Sequence, residues 1–340
     1  MANYKKIAVF GCKQTTKFIL DALGDKVPVS LLITIDPYLA RENEVADYYD
    51  FSEIGNLVKV YSAQSYSLKS QGDINFINAQ QIDIAFVIGW QRLLPESILD
   101  NLTIGAFGMH GSSLNLPLGR GRSPMNWSII EDRKVFYTNL FKFNSGIDSG
   151  DIVDSFKFTI TERDNAATMH FKNTLAMKYL IEKNLAKLLK NEQLLHKQPA
   201  IIPTYYPKRN PDDSLIEWDR DLYYIERFIR AVTKPFNGAF SFLNGEKMVI
   251  FQSQPFDVHE FGYDNEEPGT IVEVLTNEAF LVKCFGGLLL VTDFVFKGLL
   301  KRGMRFGNNG TIVTDFQLNK FGFYDIPEEN FYLINKKVSH

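Results

Sequence analysis

Cysteine is scarce in this chain. The two cysteines among its 340 residues, Cys12 and Cys284, are too few and too far apart for a disulfide framework or a zinc site. They read as buried, reduced thiols, and no metal is expected. Long apolar runs are missing too, and none approaches the roughly twenty residues that span a bilayer. The first run, Ile7–Phe10, ends at Gly11 and is too short for a secretory core, so it reads as a strand. A cytoplasmic protein with no membrane contact is the expectation. A strong excess of one charge is absent as well: the net charge of −3 excludes a generally basic, nucleic-acid-coating surface. There is no internal repeat and no low-complexity segment.

The remaining composition is that of a globular protein, with 45% hydrophobic and 23% charged residues. The length suits two domains. Short apolar runs at Ile7–Phe10, Val29–Ile35, Ile82–Ile88 and Gly105–Met109 are bounded by turn residues and predict strands. Thr15–Leu23 has helical spacing, and strand–helix alternation implies a Rossmann-like α/β fold with a mainly parallel sheet and helices on both faces. Val135–Phe143 and Ile152–Ile160 predict two more strands. Residues 164–190 predict a long helix with Asp164 as N-cap and an apolar face of Leu175, Met177, Leu180, Ile181, Leu185 and Leu188. This catalytic domain is assigned to residues 1–197. A Pro-rich connector, 198–210, follows. Residues 211–320 contain a helix at Asp221–Val232 and then short strands at Ala239–Leu243, Met248–Gln252, Gly269–Val274, Ala279–Phe285 and Leu288–Phe296. Their Asn-Gly, Pro-Gly and Gly-Gly turns predict a smaller antiparallel β-barrel, OB-like in kind. Residues 321–340 form an extension with no readable role.

Two clusters carry the chemistry. The first is Phe107-Gly-Met-His-Gly-Ser-Ser-Leu-Asn-Leu-Pro-Leu-Gly-Arg-Gly-Arg-Ser-Pro-Met-Asn-Trp127, a histidine past a strand followed by a Gly/Arg loop. The second is Ser145-Gly-Ile-Asp148-Ser-Gly-Asp151. Such loops lie at the carboxyl ends of strands, where open α/β sheets bind ligands. His110 can manage a proton near neutral pH, and Asp148 either orients it or simply forms a turn. Arg120 and Arg122 present planar forks suited to a pyrophosphate, or they brace the loop through backbone carbonyls. Lys208 and Arg209 are a weaker phosphate pair, and Ser112 is a further candidate substrate contact.

The two clusters, with Gly89-Trp-Gln-Arg-Leu-Leu-Pro95 and Tyr206-Pro-Lys-Arg-Asn-Pro-Asp-Asp-Ser-Leu-Ile-Glu-Trp218, resemble the folate-dependent formyltransferases of the methionyl-tRNA formyltransferase-like type. The likeness is closest to nucleotide-sugar N-formyltransferases such as the domain acting on UDP-4-amino-4-deoxy-L-arabinose. The resemblance implies transfer of a formyl group from N10-formyltetrahydrofolate to a primary amine, with His110 and Asp148 catalytic. It implies a pterin pocket at Trp90, Arg92 and Leu94, with Gly146 and Ile147 also at the donor; read alone, the Gly89–Pro95 segment equally suits a strand end entering a helix. The family carries an asparagine two residues before the histidine. Here that position is Gly108, and His110 to Pro117 is about two residues longer than is usual. An amide donor to the oxyanion typically contributes on the order of 10²–10³ in turnover. Asn115 in the lengthened loop either enters the space Gly108 leaves as the replacement or merely holds a turn, and loop backbone amides are the other candidate donors. Residues 36–50 carry five acids against Arg41 alone, which disfavours tRNA and favours a nucleotide-linked amino sugar of the lipopolysaccharide type. Methionyl-tRNA, another acyl donor, and a degenerate binding protein are the alternatives. Nothing in the sequence decides between a monomer and a homodimer.

Overall fold

The computed structural model describes residues 5–24, 26–54, 58–276 and 279–311, together with 316, 318, 319, 323 and 324. The expected extension at 321–340 lies almost wholly outside these residues. The first half alternates β1 (Ile7–Phe10), α1 (Gln14–Leu23), β2 (Val29–Thr34), α2 (Pro37–Glu42), β3 (Lys59–Ser62), α3 (Gln71–Ala79), β4 (Ile84–Val87), α4 (Glu96–Leu99) and β5 (Gly105–Ser112). A two-residue strand β6 (Arg120–Gly121) and α5 (Pro124–Ile130) lead to β7 (Val135–Lys142), β8 (Ile152–Thr159) and α6 (Ala166–Lys190). The sheet runs β3-β2-β1-β4-β5-β7-β8; its first five strands are parallel, β7 runs antiparallel to β5, and β8 antiparallel to β7. The strand order reverses between β1 and β4, so a crevice opens at their carboxyl ends.

The strands of the parallel region are apolar throughout because helices cover both faces. Phe10 and Phe86 are fully buried on neighbouring strands, each contributing roughly 1.5–3 kcal/mol by burial. Two core clusters line the opposite faces of this sheet, one under α3 and the other under α1 and α6. Strand β5 runs through His110 to Ser112, three residues past the predicted end. The α6 N-cap is Asn165, whose side chain accepts from Thr168 N–H, rather than Asp164. Asp164 turns back instead to accept from the Thr161 backbone and hydroxyl. Leu175, placed on the apolar face by its spacing, is 42% exposed, because α6 packs through Leu180, Ile181 and Leu188.

The connector adds β9 (Tyr205–Tyr206), and α7 (Leu222–Val232) opens the second unit with Asp221 as N-cap. Strands β10 (Ala239–Leu243), β11 (Glu246–Asp257), β12 (Ile271–Thr276), β13 (Ala279–Cys284), β14 (Gly287–Val295) and β15 (Phe306–Gly307) form an antiparallel sheet ordered β12-β13-β14-β11-β10-β15. Hydrogen bonds from Ile271 N to Met304 O and from Phe306 N to Gly269 O join its two edges into a small barrel. One cluster runs from Trp127, Ile129 and Met169 into Phe228, Ile229, Ile250 and Phe280, so the two halves share a core.

Candidate active site

Antiparallel pairing of β5 with β7 sets His110 opposite Asn139 near the crevice. His110 is 7% exposed, and its Nδ1 lies 3.3 Å from Asp148 Oδ2. Its Nε2 lies 2.7 Å from the carbonyl oxygen of Gly119. A carbonyl and a carboxylate both accept, so only a ring protonated on both nitrogens satisfies both contacts. Asp148 sits in the turn between β7 and β8 at φ 46, a left-handed conformation that a short polar side chain tolerates. Its Oδ2 accepts from the Gly121 N–H at 3.1 Å. The Gln198 amide donates to the carbonyls of Asp148 and Gly150, and Arg120 donates to Gln198 Oε1 at 2.6 Å.

The connector thus builds the site. β9 pairs with β6 in parallel, Gly119 N–H donates to Thr204 Oγ1, and Arg122 N–H donates to Tyr206 O. Ser113 and Tyr206 share a hydrogen bond, and the Tyr206 hydroxyl donates to Glu131. The loop after β5 is therefore clamped on both sides.

The predicted residues separate into distinct places. His110 and Asp148 meet, with Gly108 two residues earlier on the same face of β5. Phe143 fills the space beside Gly108: a Cβ there would stand 2.4 Å from its ring. The expectation that this space receives Asn115 is therefore not met. Asn115 lies exposed, its Oδ1 taken by Leu116 N–H and its carbonyl by Leu118 N–H, closing a turn. Ser112 is fully buried and accepts from Leu114 N–H, which makes it a brace for the loop. Arg120 donates to the Tyr205 hydroxyl and to Gln198, so it braces the connector. Arg209 is half-buried against the rings of Trp127, Phe228 and Phe316, while Lys208 is exposed beside it in sequence. Gly146 and Ile147 are half-buried in the turn leading to Asp148.

At the switch point, the segment after β4 presents Trp90, Arg92 and Leu94. Leu94 is buried in the core, and Trp90 packs edge-on against Phe10 and Tyr66. The Trp90 Nε1 is buried without a partner among the described residues, so this end of the crevice retains an unspent donor. Arg92 lies over the Tyr66 ring and donates to Asn43. Lys13, which follows β1, is 8% exposed; burial depresses its ammonium, Asp47 opposes that, and Arg122 adds to it. Arg122 is likewise depressed by burial and then by Arg92. Three cations thus converge on one crevice, and neither Lys13 nor Arg122 forms an ion pair among the described residues. Lys13, Gln198 and Asn139 were not foreseen; the only sequence signal was the polar pair Thr138-Asn139 interrupting an apolar strand. Among the described residues no cluster of three or more metal-ligating side chains occurs, and no helix is long and apolar enough to cross a membrane.

Residues 5–181 match the family model for formyl transferase, and residues 208–300 that for the formyl transferase C-terminal domain. The chain is 34% identical over 200 residues to the bifunctional polymyxin resistance protein ArnA of Wigglesworthia glossinidia brevipalpis, which covers 58% of this chain and 29% of that protein. It therefore spans under a third of that relative's length. Its fold is similar to an N-formyltransferase from Helicobacter canadensis in complex with folinic acid and dTDP-3-aminofucose, with TM-score 0.58, 19% identity, and coverage of 86% of this chain and 100% of that one. A methionyl-tRNA formyltransferase from Clostridium thermocellum aligns at TM-score 0.51 and 19% identity, over 74% and 93%. The first family match spans more than half of the 340 residues, and it contains both His110 and Asp148. This chain belongs to the formyl transferase family.

Proposed function

We propose that this chain is an N-formyltransferase that moves the formyl group of N10-formyltetrahydrofolate to the primary amine of a nucleotide-linked amino sugar, in lipopolysaccharide-type sugar synthesis. The observation that carries the reading is the His110–Asp148 pair at the carboxyl end of β5 in a chain of this family. The sugar acceptor draws support from the likeness to ArnA and from the dTDP-3-aminofucose bound by the structural neighbour. Lys13, Arg92 and Arg122 suit the anionic ends of both substrates, a diphosphate on one and a carboxylate tail on the other. The unpartnered Trp90 indole N–H and the apolar wall at Leu94 fit a pterin at the switch point.

In the reaction the amine lone pair forms the new C–N bond and the carbon–N10 bond breaks. One proton leaves the amine and one arrives at N10. The His110 ring, held by Asp148, takes the proton that the amine loses and passes it toward N10 once Gly119 O is displaced. Mixing the protein with N10-formyltetrahydrofolate and dTDP-, UDP- and GDP-linked amino sugars, with mass spectrometry of the products, tests the reading. A formylated sugar nucleotide is expected. Formylation of methionyl-tRNA alone at physiological salt overturns the acceptor class. Gly108, whose missing amide Phe143 seals off, favours one second reading, a binding protein without turnover. Calorimetry showing sugar-nucleotide binding with no transfer would select it.

A further inference from the structure

Asn139 lies in the middle of β7, wholly buried. It stands directly opposite His110 on β5 and directly opposite Ser155 on β8. Residues paired in this way project to the same face, with Cβ atoms about 4.5–5.5 Å apart. The Ser155 hydroxyl and Asn139 Oδ1 are 2.5 Å apart. That is within the O–H···O range and shorter than the roughly 2.7–3.2 Å of an N–H···O bond. The amide oxygen therefore meets Ser155, and the NH₂ group is the arm of the amide left over on the face that Asn139 shares with His110. Its Nδ2 is buried with no acceptor among the described residues. An orphaned buried amide destabilises the fold, so its retention needs a reason.

The reason lies on the face it shares with the reactive pair. Gly108 and His110 alternate onto that face of β5, and Phe143 blocks the space beside Gly108. Asn139 brings an amide to the same face from the adjacent strand, about 4.8 Å away. We propose that Asn139 supplies the oxyanion donor that Gly108 lacks. The inference rests on the formyl-transfer reading above. As the amine nitrogen bonds to the formyl carbon, the C=O π pair moves onto oxygen, and Asn139 Nδ2–H donates to it beside His110. When that pair returns, the carbon–N10 bond breaks and its electrons take a proton at N10, matching the one lost by the amine. The amide is wholly buried beside His110, whose Nε2 contact with the Gly119 carbonyl must open for a formyl oxygen to reach it. A donor held in such a dry place needs no reorganisation at the moment of reaction.

Asn139→Asp keeps the shape and loses the donor; Asn139→Ala removes both. With an acceptor in hand, each is expected to lower kcat by about 10²–10³ while leaving KM within about threefold. A kcat within about threefold of the parent, or a loss confined to thermal stability, overturns the inference. A second measurement needs no turnover: the infrared C=O stretch of bound 5-formyltetrahydrofolate carrying a ¹³C formyl group. It should lie lower in the parent than in Asn139→Ala, and identical bands overturn the inference. A parent that binds this folate but formylates no amino sugar sinks the functional reading and leaves the spectral arm to decide the donor. A parent that does not bind the folate sinks both.

Discussion

Single side chains decide the chemistry, and four positions make distinct predictions. His110→Asn and Asp148→Asn each remove a member of the 3.3 Å pair and should lower kcat by at least about a hundredfold. Near-parental turnover in either variant would remove the pair from the mechanism. Gly108→Asn should not restore the family arrangement. Its Cβ would meet the Phe143 ring, so overpacking should cost about 1–3 kcal/mol in urea unfolding. Gly108→Asn combined with Phe143→Ala should recover part of that loss; a single variant as stable as the parent would refute the clash. His170 gives the pH prediction. Burial and then Lys13 push it down to about 4, and its ring packs against Phe236. The unfolded chain binds this proton below about 6.5 and the folded chain only near 4, so stability falls as pH drops through that window. The loss approaches about 3 kcal/mol at the acid end. Above neutrality the group is uncharged in both states and contributes nothing. Chemical unfolding from pH 7 to pH 4 should show the slope in the parent, and His170→Gln should flatten it.

Elements were legible where periodicity was strong and opaque where tertiary contacts decide. The bounds of β1 and β10 follow directly from their apolar runs, and the spans of α6 and α7 from helical spacing. α2, α3 and β3 went unread because their short spans carry little contrast between faces. Asp164 and Asn165 are both good caps, and the reciprocal bond between Asn165 and Thr168 decides in favour of the second. Asn165→Ala should therefore cost about 1 kcal/mol. Along the same helix, Leu180→Ala should cost about 2–5 kcal/mol, and Leu175→Ser should lie within about 0.5 kcal/mol of zero. A cost at Leu175 as large as that at Leu180 in thermal melts would restore the face first drawn from spacing. At the candidate site the sequence revealed His110 and Asp148 because glycines and serines frame them. It hid Asn139 and Gln198, whose roles come from cross-strand register and from a chain that returns fifty residues after the Asp148 turn.

Across the whole molecule the two halves are joined through one shared core. Trp127 donates to Pro207 O, Asn126 to Ala231 O and Arg230 to the Asp164 carbonyl, all around the shared core. Calorimetry should therefore show one transition; two separated ones would mean the halves unfold independently. The stretch between the two family matches, residues 182–207, carries Gln198, Thr204 and Tyr206. Those residues hold the Asp148 turn and the loop over His110. The reactive half is therefore not a portable module: swapping it at the family borders would transplant the reactive residues and leave their scaffold behind. Chimeras meant to exchange acceptor preference need their junction beyond Tyr206.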